Sequence, residues 1–131
     1  MLLIDVDNFK TFNDTQGHLE GDRVLFEVGR VIEECTREHV DMGFRYGGDE
    51  FTVLLPETDE EQALAVANRI VQTFAMRKFE IVTVSLGLMN YDHKCTSKEF
   101  MKFTDSVMYE AKRAGGNQVM VYDVCSKSKE S

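Results

Sequence analysis

The chain has 131 residues, 43% hydrophobic and 29% charged, which describes one soluble globular domain with a single core and excludes a disordered, collagenous or disulfide-stapled chain. Fifteen Lys and Arg stand against 23 Asp and Glu, a net charge of −8; this opposes gripping a nucleic-acid backbone but allows a small nucleotide whose phosphates a divalent cation bridges to acidic side chains. No apolar run approaches the length of a membrane span, and Cys35, Cys95 and Cys125 form no close pair, so the sequence reads as a cytoplasmic protein with idle thiols and neither nucleic-acid nor membrane contact.

The opening MLLIDVD is an apolar run that turns acidic at Asp5 and Asp7, the pattern of a buried strand ending at a functional edge. The two aspartates are read as pointing to opposite faces of that strand, which leaves one of them structural. Val24, Leu25, Val28, Val31, Ile32 and Cys35 recur at three and four residues and predict a helix, with Gly17 and Gly21 read as breaks ahead of it. GFRYGGDEFTVLLP predicts a hairpin turning at Gly47 and Gly48. Thr58 and Glu61 have capping-box spacing for a helix reaching about Ala75, and Thr96 and Glu99 repeat that spacing for a last helix ended by Gly115 and Gly116. IVTVSLGLM lies between them as a β-branched strand. VMVYDV is the final strand, giving one domain over residues 1–124 and a polar tail over 125–131.

The resulting order is strand, helix, helix, hairpin, helix, strand, helix, strand. It predicts an α/β (α+β sandwich) fold with a ferredoxin-like or palm-type central sheet, an antiparallel hairpin and helices packed on the sheet.

Asp49 and Glu50 follow the Gly-Gly pair, and their hairpin is expected beside the strand ending at Asp5. Two carboxylates brought together there supply the oxygen ligands Mg²⁺ favours and leave its remaining positions to water and phosphate. On residue types alone, a plain turn with solvated acids fits the same letters.

RYGGDEF at Arg45–Phe51, DVDNFKTFND at Asp5–Asp14, GHLEGD at Gly17–Asp22, TVSLG at Thr83–Gly87 and YEAKRAGGN at Tyr109–Asn117 together resemble, in order and over nearly the whole chain, the motifs of the GGDEF family of bacterial diguanylate cyclases. The resemblance implies a nucleotidyl-cyclase-like domain that joins two GTP molecules into cyclic di-GMP and releases two pyrophosphates. It implies one GTP on each half of a homodimer, Mg²⁺ or Mn²⁺ as cofactor, and an upstream sensor or regulatory domain. Carried over by position, Asp5 and Asp49 are the metal carboxylates, with the Val6 carbonyl as a third ligand. Glu50 is the catalytic acid, holding a second metal or accepting the proton of the attacking 3′-hydroxyl. Asn13 and Asp22 read guanine, a role their donors and acceptors suit. Phe9 and Lys10 form the loop on the β- and γ-phosphates, Lys112 is a second phosphate lysine, and Gly47 and Gly48 let backbone approach the substrate.

The chain departs from the family pattern in three places. Gly116 stands where most members have a phosphate-binding arginine, and Arg113, one turn earlier, is the nearest substitute. Glu38 replaces the arginine of the product-inhibition motif ending at Asp41, with Arg37 adjacent. The family's segment before the first strand, with its Asp-x-Leu-Thr-Gly-Leu-like motif, has no counterpart, as expected of a piece of a longer protein or of a short, impaired copy. The alternative reading is therefore a catalytically impaired domain that binds GTP or another nucleotide as a regulatory module.

Overall fold

The computed structural model describes residues 1–91 and 94–122. Strand β1 (Leu2–Asp7) leads into helices α1 (Phe9–Gln16) and α2 (His18–Cys35). The hairpin β2 (Met42–Gly47) and β3 (Glu50–Leu54) follows, then α3 (Glu60–Ala75), β4 (Thr83–Leu88), α4 (Ser97–Arg113) and β5 (Val119–Val121). The sheet order is β2-β3-β1-β4-β5. β1 lies between β3 and β4, antiparallel to both, and β5 runs parallel to β4. The mixed α/β sheet with its antiparallel hairpin is the architecture expected from the order of elements.

Alternation along the central strands separates two layers. Leu2, Ile4 and Val6 of β1, Val53 of β3 and Val84, Leu86 and Leu88 of β4 join Phe12, Val24, Val28, Val31, Ala67, Ile70 and Phe74 from α1–α3 in one core. Complete burial of side chains such as Phe74, Ile4 and Leu86 stabilises the fold by about 1.5–3 kcal/mol each. The other face of the sheet receives α4 through Val107, Met108 and Ala111, all buried. Gly87 on β4 makes that packing close: a Cβ there would lie 2.5 Å from both the Thr104 carbonyl oxygen and the Met108 nitrogen.

Three local expectations are corrected. Gly21 is buried inside α2 rather than breaking the chain ahead of it, because a side chain at this position would run into Asn13 on α1. The hairpin turns over Gly48 and Asp49; Gly47 ends β2 opposite Glu50, after a register shift that follows Arg45. Only Gly48 of the pair has positive φ, +46°, and the Arg45 Nε donates to its carbonyl at 2.8 Å. The box starting α3 is Asp59 with Gln62, not Thr58 with Glu61. The Thr58 hydroxyl donates instead to Pro56 O at 2.9 Å, which leaves the stronger carboxylate acceptor to cap the helix. β5 ends at Val121; Asp123, Val124 and the predicted tail lie outside the described residues. The Thr96–Glu99 box on α4 forms as expected.

Candidate active site

β1 ends at Asp7, and the α4 face of the sheet gathers acids there. Asp5 and Asp7 share that face, contrary to the opposite-face reading, because residues two apart on a strand point the same way. The Lys112 ammonium, in the last turn of α4, contacts both, at 3.2 Å from Asp5 Oδ2 and 3.3 Å from Asp7 Oδ1. It also donates to the Val6 carbonyl at 3.4 Å.

Their surroundings give the two aspartates different chemistry. Asp7 accepts from the Ser85 hydroxyl at 2.6 Å, the Thr83 hydroxyl at 2.7 Å and the Asn117 amide at 3.0 Å. Burial pushes its pKa up, but these donors and the Lys112 charge outweigh it and hold the carboxyl below the usual range. Asp7 is thus the structural member of the pair, tying β1 to β4 and to the turn after α4. Asp5 has no such set of donors, and its buried Oδ1 has no hydrogen-bond partner. Burial dominates there; the Lys112 charge opposes it, the Asp49 charge adds to it, and the pKa stands at about 7.

Asp5 pairs across strands with Glu50, which places both side chains on one face. Asp49 is held beside β1 by the Val6 N–H donating to its carbonyl at 3.2 Å. Burial, then the charges of Asp105 and Asp49, raise the Glu50 pKa against the pull of Lys112. Glu50 borders a 180 Å³ cleft also lined by Tyr46, Met101, Lys102 and Asp105. Asp5, Asp49, Glu50 and the Val6 carbonyl therefore lie near one another at the end of β1. Among the described residues no group of three or more acidic, histidine or cysteine side chains forms a metal cage. The orphaned Oδ1 and the hard oxygen donors suit an ion that keeps most of its positions for water and phosphate, as Mg²⁺ does.

The remaining predicted residues lie around α1 and α2. Asn8 precedes α1 in a left-handed conformation, φ 60°, offers the helix no side-chain cap, and donates from Nδ2 to Ile81 O at 3.0 Å. The first-turn amides at Phe9 and Lys10 thus lack a side-chain acceptor, a setting favourable to an anion. The Phe9 ring packs on the core, and Lys10 is exposed. Asn13 Nδ2 is 3.1 Å from His18 Nδ1, and Asp22 is exposed in α2 immediately after the Gly21 contact with Asn13. Gly116 has φ +75°, and a Cβ there would lie 2.8 Å from Asp7 Oδ2; the turn is built against the buried carboxylate, so this position favours glycine. Arg113 is exposed at the end of α4.

Sequence reasoning gave no role to Thr83, Ser85, Asn8 or Asp105. For the first two the signal was available: hydroxyls two apart on an apolar strand need a buried acceptor.

The family model described as "Diguanylate cyclase, GGDEF domain" matches residues 1–118. The chain belongs to the GGDEF domain family. It is 40% identical over 126 residues to diguanylate cyclase A of Treponema denticola, covering 91% of this chain but 34% of that protein. The active GGEEF domain of a diguanylate cyclase from Vibrio cholerae superposes with a TM-score of 0.85 at 31% identity, covering 93% of this chain and 81% of the other. The GGDEF domain of DgcB from Caulobacter crescentus, solved in complex with c-di-GMP, gives a TM-score of 0.85 at 28% identity, covering 92% and 75%. This GGDEF domain presents its signature on a hairpin beside the central strand. Among its described residues no helix is long and apolar enough to cross a membrane.

A pH dependence follows from Asp5. Its carboxyl keeps its proton up to about pH 7 when folded, against an ordinary value of 3.8. The folded state therefore binds more protons between those values, and the metal-free domain loses stability as pH rises from about 4 to about 7, by up to a few kcal/mol. Asp7 acts oppositely: its lowered pKa supplies stability that is lost as pH falls below its ordinary 3.8. Thermal melts across the upper range should show the slope, and Asp5→Asn should remove it; an unchanged slope in that variant disproves the assignment.

Proposed function

We propose that the domain is a diguanylate cyclase module that condenses two GTP molecules into cyclic di-GMP, with Mg²⁺ or Mn²⁺, across a homodimer. The observation carrying this reading is the pairing of Asp5 with Glu50 across β1 and β3, with Asp49 close enough to raise the Asp5 pKa, in a chain of the GGDEF family. Asp5, Asp49 and the Val6 carbonyl would hold the divalent ion, which when bound neutralises phosphate charge and polarises the phosphoryl group.

Asn13 and Asp22 orient guanine. The uncapped start of α1 and Lys10 hold the terminal phosphates, and Lys112 is positioned to join them. Glu50, with its raised proton affinity, accepts the proton of the 3′-hydroxyl as that oxygen attacks the α-phosphorus of the second GTP and pyrophosphate leaves. The second GTP sits on the two-fold related copy, since each chain supplies half a site. Incubation with GTP and Mg²⁺ followed by mass analysis tests the reading. Cyclic di-GMP formation supports it; GTP binding without product favours the regulatory nucleotide-binding alternative.

Product feedback at Glu38–Asp41 is not expected. The Arg37 side chain is occupied by Asp41 Oδ1 at 2.7 Å, Pro56 O at 3.0 Å and Thr58 Oγ1 at 3.0 Å, and Glu38 repels a phosphate. The initial rate should stay flat as cyclic di-GMP is added through the submicromolar range. Inhibition there would show that Arg37 has left Asp41 for the ligand.

A further inference from the structure

Resting on that reading of the site, we propose that Lys112 is a tethered cation that stands in for the divalent ion in the nucleotide-free domain. Loading of the ion with a purine triphosphate then moves its ammonium off Asp5 and the Val6 carbonyl and onto phosphate. The ammonium lies 3.2 Å from Asp5 Oδ2 and 3.4 Å from Val6 O, two of the three groups that would hold the metal. An ammonium and a dication repel one another and cannot share those oxygens.

The two aspartates differ in how far they depend on this lysine. Asp7 is fixed by Ser85, Thr83 and the Asn117 amide whether or not Lys112 is present, so it serves as the fixed end of the exchange. Asp5 has a buried oxygen without any partner, so its carboxylate relies on a nearby cation. The lysine stem is long and flexible, whereas α4 is held on the sheet by the close approach at Gly87; the side chain can therefore swing while the helix stays. The consequence is ordered chemistry. Free Mg²⁺ must displace an ammonium that is then left with Asp7 alone, while a triphosphate supplies further anionic oxygens, so ion and nucleotide bind with positive cooperativity.

Calorimetric titration of the nucleotide-free domain with Mg²⁺ alone provides the test. Lys112→Gln should bind Mg²⁺ at least about fivefold more tightly than wild type, the scale of removing one like charge beside a partly screened dication. Equal or weaker binding by Lys112→Gln overturns the proposal. In the wild-type domain, the Lys112 Nζ resonance should shift when Mg²⁺ and a non-hydrolysable GTP analogue are added together, and a resonance that stays in place overturns the exchange even if the variant does not fold. Asp49→Asn should abolish the Mg²⁺ heat in both backgrounds. If it does not, the metal site itself is wrong, a failure distinct from that of the exchange.

Discussion

Glu50→Gln should reduce cyclic di-GMP formation by about 10²–10⁴-fold, the contribution of a positioned general base, while leaving GTP binding within a few-fold of wild type. The amide matches the carboxylate in size, so the fold and the cross-strand pairing with Asp5 are kept and only the proton acceptor is lost. The residue is suited to that role by its setting. Burial and the neighbouring Asp105 and Asp49 charges raise its pKa, which brings its proton affinity closer to that of a base working near neutral pH. Single-turnover product formation, followed by mass analysis beside a GTP-binding measurement, separates the effects. Equal product from both proteins would remove Glu50 from the chemistry, and loss of GTP binding in step with activity would make it a binding residue.

Gly87→Ala should cost about 3 kcal/mol or more, at the upper end of overpacking substitutions, and lower the melting temperature by about 10 °C or more in a domain of this size. The added methyl would meet backbone, the Thr104 carbonyl and the Met108 nitrogen at 2.5 Å, and helix backbone cannot rotate aside as a side chain can. Relief requires α4 to lift off the sheet. Lys112 lies on that helix, so the site should loosen with it, and Mg²⁺ with GTP should recover only part of the lost stability. A thermal melt within a degree or two of wild type would mean that α4 yields to the added methyl at little cost.

Much of the fold was legible because its determinants are local. The 3.6-residue spacing of Val24, Val28, Val31 and Cys35, the β-branched run ending at Leu88 and the Thr96–Glu99 box each specify an element within a few residues. The mistaken details arose where two local signals competed and a tertiary contact chose between them. Thr58 and Asp59 both suit an N-cap, and Thr58 is drawn to Pro56. Gly21 looks like a helix breaker until Asn13 is packed against it. Gly47 and Gly48 are equally suited to a turn, and pairing of Gly47 with Glu50 leaves the turn to Gly48 and Asp49.

By itself the sequence determined the family, the layered α/β order and the list of acids that converge, because motif spacing and hydrophobic period are written along the chain. Only the tertiary structure decided the division of labour among those acids. Asp5 and Asp7 are the same residue type two positions apart, and what separates them is the company each keeps: hydroxyls from β4 and an amide after α4 for one, an orphaned oxygen beside Asp49 for the other. Burial and long-range hydrogen bonds set proton affinity, and both depend on atoms about 45 to 110 residues distant in the chain that meet only when the sheet is assembled.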